Sequence, residues 1–242
     1  MSTLRRLAGP APPPQEEVPL PAPLRRFLQP RPGPKPGEAC ELCAEPLTDA
    51  HRHVVDIEAR ALKCTCRGCG LLFIERGAAG GHFRTVPDRY SEIVPFAVTG
   101  PQWAALQIPV GMAFFLTNSR LEQTVAFYPS PGGATESELS LDAWDGIVDA
   151  NPALAGIEPD VEAALVRTGH DGPGRRGDGA PSCHVVPIDR CYELVGELRM
   201  HWRGFDGGQE VRERIDAFFA DVQRRSRPSR ASTASVASGS QP

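Results

Sequence analysis

Cys40-Glu-Leu-Cys43 and, twenty-odd residues later, Cys64-Thr-Cys-Arg-Gly-Cys-Gly-Leu-Leu-Phe73 are the stretches that decide how this chain is read. Five of the seven cysteines fall inside them. Cys40 and Cys43 form one C-x-x-C, and Cys66 and Cys69 form a second, followed at once by Gly70. Two thiolates three positions apart on a tight turn converge on one ion. Two such turns close a tetrahedral four-sulfur site, which suits Zn²⁺. Between the pairs, His53-Val-Val-Asp-Ile57 reads as a strand, Glu58-Ala-Arg60 as a turn, and Ala61 to Cys66 as the returning strand. Leu71-Leu-Phe-Ile74 reads as a third short strand. This is the layout of a zinc ribbon. A hairpin of about forty residues buries too little apolar surface to fold alone, so its ion supplies much of its folding energy.

The expected ligands are Cys40, Cys43, Cys66 and Cys69. Cys64 stands two residues before Cys66 and therefore on the same face of the strand, as a neighbour, a substitute ligand or a redox-sensitive thiol. His51 and His53 lie near the first knuckle and are expected to be exposed strand-edge residues rather than ligands. His82 is a more distant candidate. Cys183 and Cys191 are read as small core residues. Zinc is the expected metal. Four thiolates also hold a single iron in a rubredoxin-like site or an iron–sulfur cluster, with Cys64 as a spare ligand, so iron is the alternative.

Outward from this stretch, composition divides the chain of 242 residues. Residues 1–36 hold eleven of the twenty-five prolines and read as a disordered, Pro-rich tail. Residues 37–75 form the ribbon-like element, 76–222 an α+β domain, and 223–242 a disordered Ser/Arg tail. Net charge is −4, with both tails basic and the body acidic, which argues against a nucleic-acid-binding core. No apolar run approaches the roughly 18 residues of a membrane span. Arg5 and Arg6 are followed by prolines rather than an apolar core, so no secretory signal is expected and the cytoplasm is the expected compartment. There the cysteines stay reduced, which favours metal over disulfides.

Within the α+β domain, His82 to Val86 reads as a strand and Thr99 to Ile108 as a short helix. Met112 to Thr117 and Thr124 to Tyr128 read as a buried antiparallel hairpin, and Pro129 to Ser137 as a turn lacking phosphate-loop spacing. A helix capped by Ser140 follows, with Leu141, Trp144, Ile147 and Val148 on one face. Val161 to Val166 fits a strand or a helix, with strand favoured, and Cys183 to Ile188 reads as a strand that closes a second hairpin with it around an exposed loop at 170–182. Two C-terminal helices complete the antiparallel-sheet domain. One is capped by Asp189 with Tyr192, Val195, Leu198 and Trp202 as its buried stripe. The other is capped by Asp206 and buries Val211, Ile215, Phe218, Phe219 and Val222.

No nucleophile elbow or H-E-x-x-H is present, and no general acid–base pair can be named. An enzymatic alternative places the 129–137 and 201–204 segments on one pocket, with Arg203 holding an anion and His201 moving a proton. The favoured reading is non-catalytic.

Several stretches taken together resemble an uncharacterised bacterial family of unknown function, family number 5947. They are Cys40-Glu-Leu-Cys43, Cys66-Arg-Gly-Cys-Gly-Leu-Leu-Phe73, Ile108-Pro-Val, Ala126-Phe-Tyr-Pro-Ser-Pro-Gly-Gly-Ala-Thr-Glu-Ser137, Pro159-Asp-Val-Glu-Ala163, and Val186-Pro-Ile-Asp-Arg-Cys-Tyr-Glu-Leu-Val-Gly196 running into His201-Trp-Arg-Gly204. The resemblance covers roughly residues 38–222 and leaves both tails outside. Genes of that family lie beside those of uptake nickel–iron hydrogenases. The resemblance therefore implies an accessory role, with hydrogenase subunits or maturation factors as protein partners.

Overall fold

Ala163 and Leu165 face one hydrophobic cluster, Ala164 and Val166 face another, and all four are buried. A strand apolar on both phases of its alternation must be covered on both sides, and that requirement shapes the whole molecule. The structure, a computed structural model, describes residues 38–130, 133–137, 141–169, 180–203 and 207–229. In chain order the elements are β1 (Arg52–Asp56), β2 (Ala61–Thr65), α1 (Arg67–Leu71), β3 (Phe83–Thr85), β4 (Ser91–Ile93), α2 (Gly100–Ala105), β5 (Met112–Asn118) and β6 (Gln123–Ser130). They continue with β7 (Gly133–Ser137), α3 (Leu141–Ala150), β8 (Glu162–Arg167), β9 (Ser182–Pro187), α4 (Ile188–His201), α5 (Gly208–Arg225) and β10 (Arg227–Ser229). The architecture is α+β.

Two sheets are present. A small antiparallel sheet has the order β2-β1-β3, and a seven-stranded sheet has the order β10-β4-β9-β8-β5-β6-β7. The larger is antiparallel except where β10 runs parallel to β4. On one of its faces, Phe114, Leu165 and Val186 pack with Leu194 and Leu198 of α4 and Val211, Phe219 and Val222 of α5. Val55 of β1 and Ile57, just past its end, join the same cluster. On the other face, Phe115 is buried among Trp144, Ile147 and Leu106. It stacks on Trp144, ring centroids 4.1 Å apart, and meets Trp103 edge-on at 6.2 Å.

The small sheet is tied to the large one by charge as well as packing. Arg84, on β3, pairs with Glu158. Arg89 donates from Nε to Glu162 Oε1 at 2.7 Å and from Nη2 to Glu162 Oε2, while Glu158 N–H donates to the same Oε2 at 2.9 Å. Glu162 is fully buried at the start of β8.

Several expectations are corrected here. The third strand of the hairpin sheet is Phe83–Thr85, whereas Leu71 ends α1 and residues 72–74 follow as turn and bend, with Leu71, Leu72 and Ile74 exposed. Residues 129–137 are not an open turn: Pro129 and Ser130 end β6, and β7 pairs back onto them. The helix after β9 starts at Ile188 with Pro187 at the cap, so Asp189 lies in its first turn rather than capping it. Its buried stripe is Ile188, Cys191, Leu194 and Leu198, and Tyr192 is exposed. Gly207, in a left-handed conformation (φ 82°), caps α5; the expected cap Asp206 lies outside the described residues, as do Ser140 and the loop at 170–179. Past Ser226 the chain adds β10 to the sheet edge, where Arg227 N–H donates to Tyr90 O at 3.2 Å. Both proline-rich and Ser/Arg tails otherwise lie outside the described residues. No helix among the described residues is long and apolar enough to cross a membrane.

Candidate metal centre

The two C-x-x-C turns are built differently and meet at one end of the β1–β2 hairpin. The first is closed by Ala44 N–H to Cys40 O (2.8 Å) and Cys40 N–H to Glu45 O (2.7 Å), with Ala44 in a left-handed conformation (φ 64°). The second is the short helix α1. Cys66 caps it, accepting at Sγ from Cys69 N–H at 3.4 Å, and Gly70 N–H donates to Cys66 O. Glu41 joins the turns. Its N–H donates to Cys64 O at 2.9 Å and its Oε1 accepts from Cys64 N–H at 2.8 Å, so the first knuckle is held on β2 at both hydrogen-bonding positions. Sequence reading missed Glu41, whose place between two cysteines carries no distinctive signal.

Gly70 matters for a reason other than backbone conformation. A Cβ there would stand 2.9 Å from Arg52 Cδ and 3.1 Å from Arg52 Cβ, so only a glycine lets α1 lie this close to β1. Thr85 Oγ1 donates to Gly70 O and closes the contact from β3.

The result brings Cys40, Cys43, Cys66 and Cys69 together, one sulfur from each within 4.8 Å of all the others. Two sulfurs bound at about 2.3 Å to one tetrahedral ion stand roughly 3.8 Å apart. Cys43 Sγ and Cys66 Sγ are 3.7 Å apart. The donor set therefore fits a thiophilic ion without rearrangement of that pair, and the tetrad can hold a metal. No disulfide joins any of the seven cysteines.

The thiols are electrostatically unequal. Burial would push Cys40 up, but backbone hydrogen bonds from Cys66, Leu42 and Cys43 outweigh it and bring its pKa down to about 6. Cys69 is pushed up to about 12 by burial and then by the neighbouring Cys43, Cys66 and Cys40. At Cys66 the Cys69 amide pulls downward, but Glu45, burial and Cys43 together raise the thiol. Crowded thiols that cannot all ionise beside one another can do so around a cation.

The other candidates separate cleanly. Cys183 and Cys191 are buried in the two cores and burial pushes both thiols up. His82 pairs with Glu58 at 3.1 Å, away from the tetrad. His51 and His53 are half-buried rather than exposed, and with Cys64 they form a second cluster. His201 is bound at Nδ1 to Glu197 O in its own helix, at 2.9 Å.

A family model described as one of unknown function matches residues 39–226. No curated protein and no solved structure matches the chain.

Proposed function

We propose that this chain, which belongs to the DUF5947 family of unknown function, is a metal-binding accessory protein whose cysteine hairpin docks on a protein partner. One zinc ion held by Cys40, Cys43, Cys66 and Cys69 is structural in this reading. The observation that carries it is the closure of the tetrad. Four thiolates fill a tetrahedral ion completely, leaving no position for a substrate, and this is the coordination of structural zinc.

Exposed aliphatic side chains adjoin the ligands in sequence. Leu42 lies between Cys40 and Cys43, and Leu71, Leu72 and Ile74 follow Cys69. Aliphatic side chains gathered beside a rigid metal knuckle form a surface suited to a partner. The 37–75 element then serves as the docking module and the 76–222 domain as its scaffold. In this reading the partner is a subunit or maturation factor of a nickel–iron hydrogenase, the class that the resemblance noted in the sequence implies, and reduced clustered thiols suit a cytoplasmic setting.

Iron in the same four-thiolate cage is the second reading, making the protein a redox carrier in that system. It is favoured by the Cys69 amide donating to Cys66 Sγ, since amide-to-sulfur bonds tune iron–thiolate potentials.

Elemental analysis and visible absorption of anaerobically purified full-length protein decide between the metals. A colourless protein containing at least about one equivalent of zinc is expected. A coloured protein containing iron supports the second reading, and less than about half an equivalent of either refutes the site. For the docking role, Leu71→Ser and Leu72→Ser together should abolish capture of hydrogenase components from native cells; undiminished capture refutes that surface.

A further inference from the structure

The tetrad leaves Cys64 unused, and the hairpin's register shows what stands beside it. In the β1–β2 ladder His53 is the direct partner of Cys64. His51 precedes His53 by two positions and so shares its side of the chain. The two imidazole rings meet edge-on, centroids 4.8 Å apart. A ring nitrogen of each histidine and Cys64 Sγ all lie within 4.8 Å of one another.

The hydrogen bonds on the far side of each ring set its chemistry. His51 Nδ1 lies 2.9 Å from Thr48 O. A carbonyl oxygen only accepts, so Nδ1 carries the hydrogen and the lone pair of the neutral ring is on Nε2. That Nε2 is buried and has no hydrogen-bond partner. His53 Nδ1 lies 2.9 Å from Asp189 Oδ2. Nδ1–H donating to that carboxylate leaves Nε2 as the donor atom there too. Carbonyl and carboxylate acceptors on the outer nitrogen are the partners that orient metal-ligating histidines and raise their basicity. A buried nitrogen lone pair without a partner costs free energy unless something binds it.

We propose that His51, His53 and Cys64 form a second metal site, distinct from the four-cysteine centre. It takes a borderline divalent ion of the Zn²⁺ class, which accepts both imidazole and thiolate. Nitrogen and sulfur ligands of one tetrahedral zinc stand roughly 3.4–3.6 Å apart, so the side chains need draw together by no more than about 1.4 Å on binding. Three protein ligands leave one coordination position for water or an exchangeable ligand. That position has access to solvent chemistry, because both histidines line a cleft of about 740 Å³ shared with Asp189, Arg190, Tyr90 and Arg225.

This inference does not depend on the structural reading of the tetrad, and titration separates them. Full-length protein, stripped of metal under reducing conditions, is titrated with Co²⁺ and separately with Zn²⁺. Two equivalents are expected. The second should add about a quarter of the thiolate-to-cobalt charge transfer of the first, having one thiolate in place of four. In a variant combining His51→Gln, His53→Gln and Cys64→Ser, the second equivalent should vanish while the four-thiolate spectrum of the first persists. Wild-type protein that saturates at one equivalent overturns the proposal, as does a triple variant that still takes two. Should that variant fail to fold, nitrogen NMR of the wild type decides. Binding of the second zinc must shift Nε2 of both His51 and His53, and unshifted ring nitrogens overturn the site.

Discussion

Replacing Arg89 by alanine tests how the connection between the small sheet and β4 is fastened to β8 of the large sheet. Glu162 is buried, with 1% of its side chain exposed, and Arg89 provides both of its charged hydrogen bonds. After Arg89→Ala the carboxylate keeps only the Glu158 N–H at 2.9 Å. Removing one partner of a buried ion pair costs about 3–5 kcal/mol, because the remaining charge stays desolvated. Arg89 itself is 47% exposed, so water can follow it into part of the space it leaves. The retained amide bond and this access place the expected loss in the lower half, about 3–4 kcal/mol. For a domain of this size each kcal/mol moves Tm by about 2–4 °C, giving a drop of roughly 6–16 °C. Urea unfolding followed by circular dichroism reads the same loss at constant temperature. The variant Arg89→Met with Glu162→Leu removes both charges and should recover most of it, since an apolar pair of similar volume is near neutral there. A loss below about 1 kcal/mol in Arg89→Ala, or no recovery in the double variant, refutes the argument.

Other outcomes follow from the same geometry. Gly70→Ala forces α1 away from Arg52 and should weaken metal binding by about 5- to 150-fold, as overpacking costs about 1–3 kcal/mol; Gly68→Ala, whose Cβ would sit 3.8 Å from Cys66 Sγ, should change it little in the same chelator competition. Phe115→Ala should cost about 3–5 kcal/mol and alter the fluorescence of Trp103 and Trp144, with an unchanged emission spectrum counting against the stacked core. His184 is buried on β9, and burial lowers its pKa below the ordinary 6.5, against a smaller upward pull from Glu92. The unfolded chain therefore binds this proton first, so the stability it contributes is complete above 6.5 and is lost as pH falls toward the folded value. His184→Gln should flatten the acid side of the stability curve relative to wild type, and parallel curves would contradict this.

The tetrad was legible because its chemistry is local: a C-x-x-C turn needs only its own few residues to aim two sulfurs. The central hairpin of the large sheet was legible for a similar reason, since Met112–Asn118 and Gln123–Ser130 carry dense apolar and aromatic runs, whereas Glu162–Arg167, apolar on both phases, fits a helix as well as a strand until it is paired. What stayed hidden depends on pairing. The role of Cys64 follows from its alignment with His53, which becomes fixed only when the turn at 57–60 sets the register. Leu71, Leu72 and Ile74 resemble a strand by composition, yet α1 turns them outward. The stripe of α4 is displaced by one residue because Cys191 and Leu194 take the buried face that Tyr192 and Val195 suggested. At β10, Arg-Pro-Ser has no apolar alternation at all, and its pairing with β4 is made by backbone groups that no side-chain pattern reports.

Cys43 and Cys66 are separated by 23 positions, and an ion between them turns that stretch of chain into a ring. While the ion stays bound, a ring of this size lowers the conformational entropy of the unfolded chain by an amount worth roughly 3 kcal/mol. Unlike a disulfide, the cross-link is conditional, present only while an ion and reduced thiols are. Oxidation or chelation reopens the ring, and β2 then hangs at the outer edge of its sheet by the β1 ladder and Glu41. Amide exchange in β2 should accelerate first, ahead of β1 and β3, making that strand a gauge of whether the ring is shut.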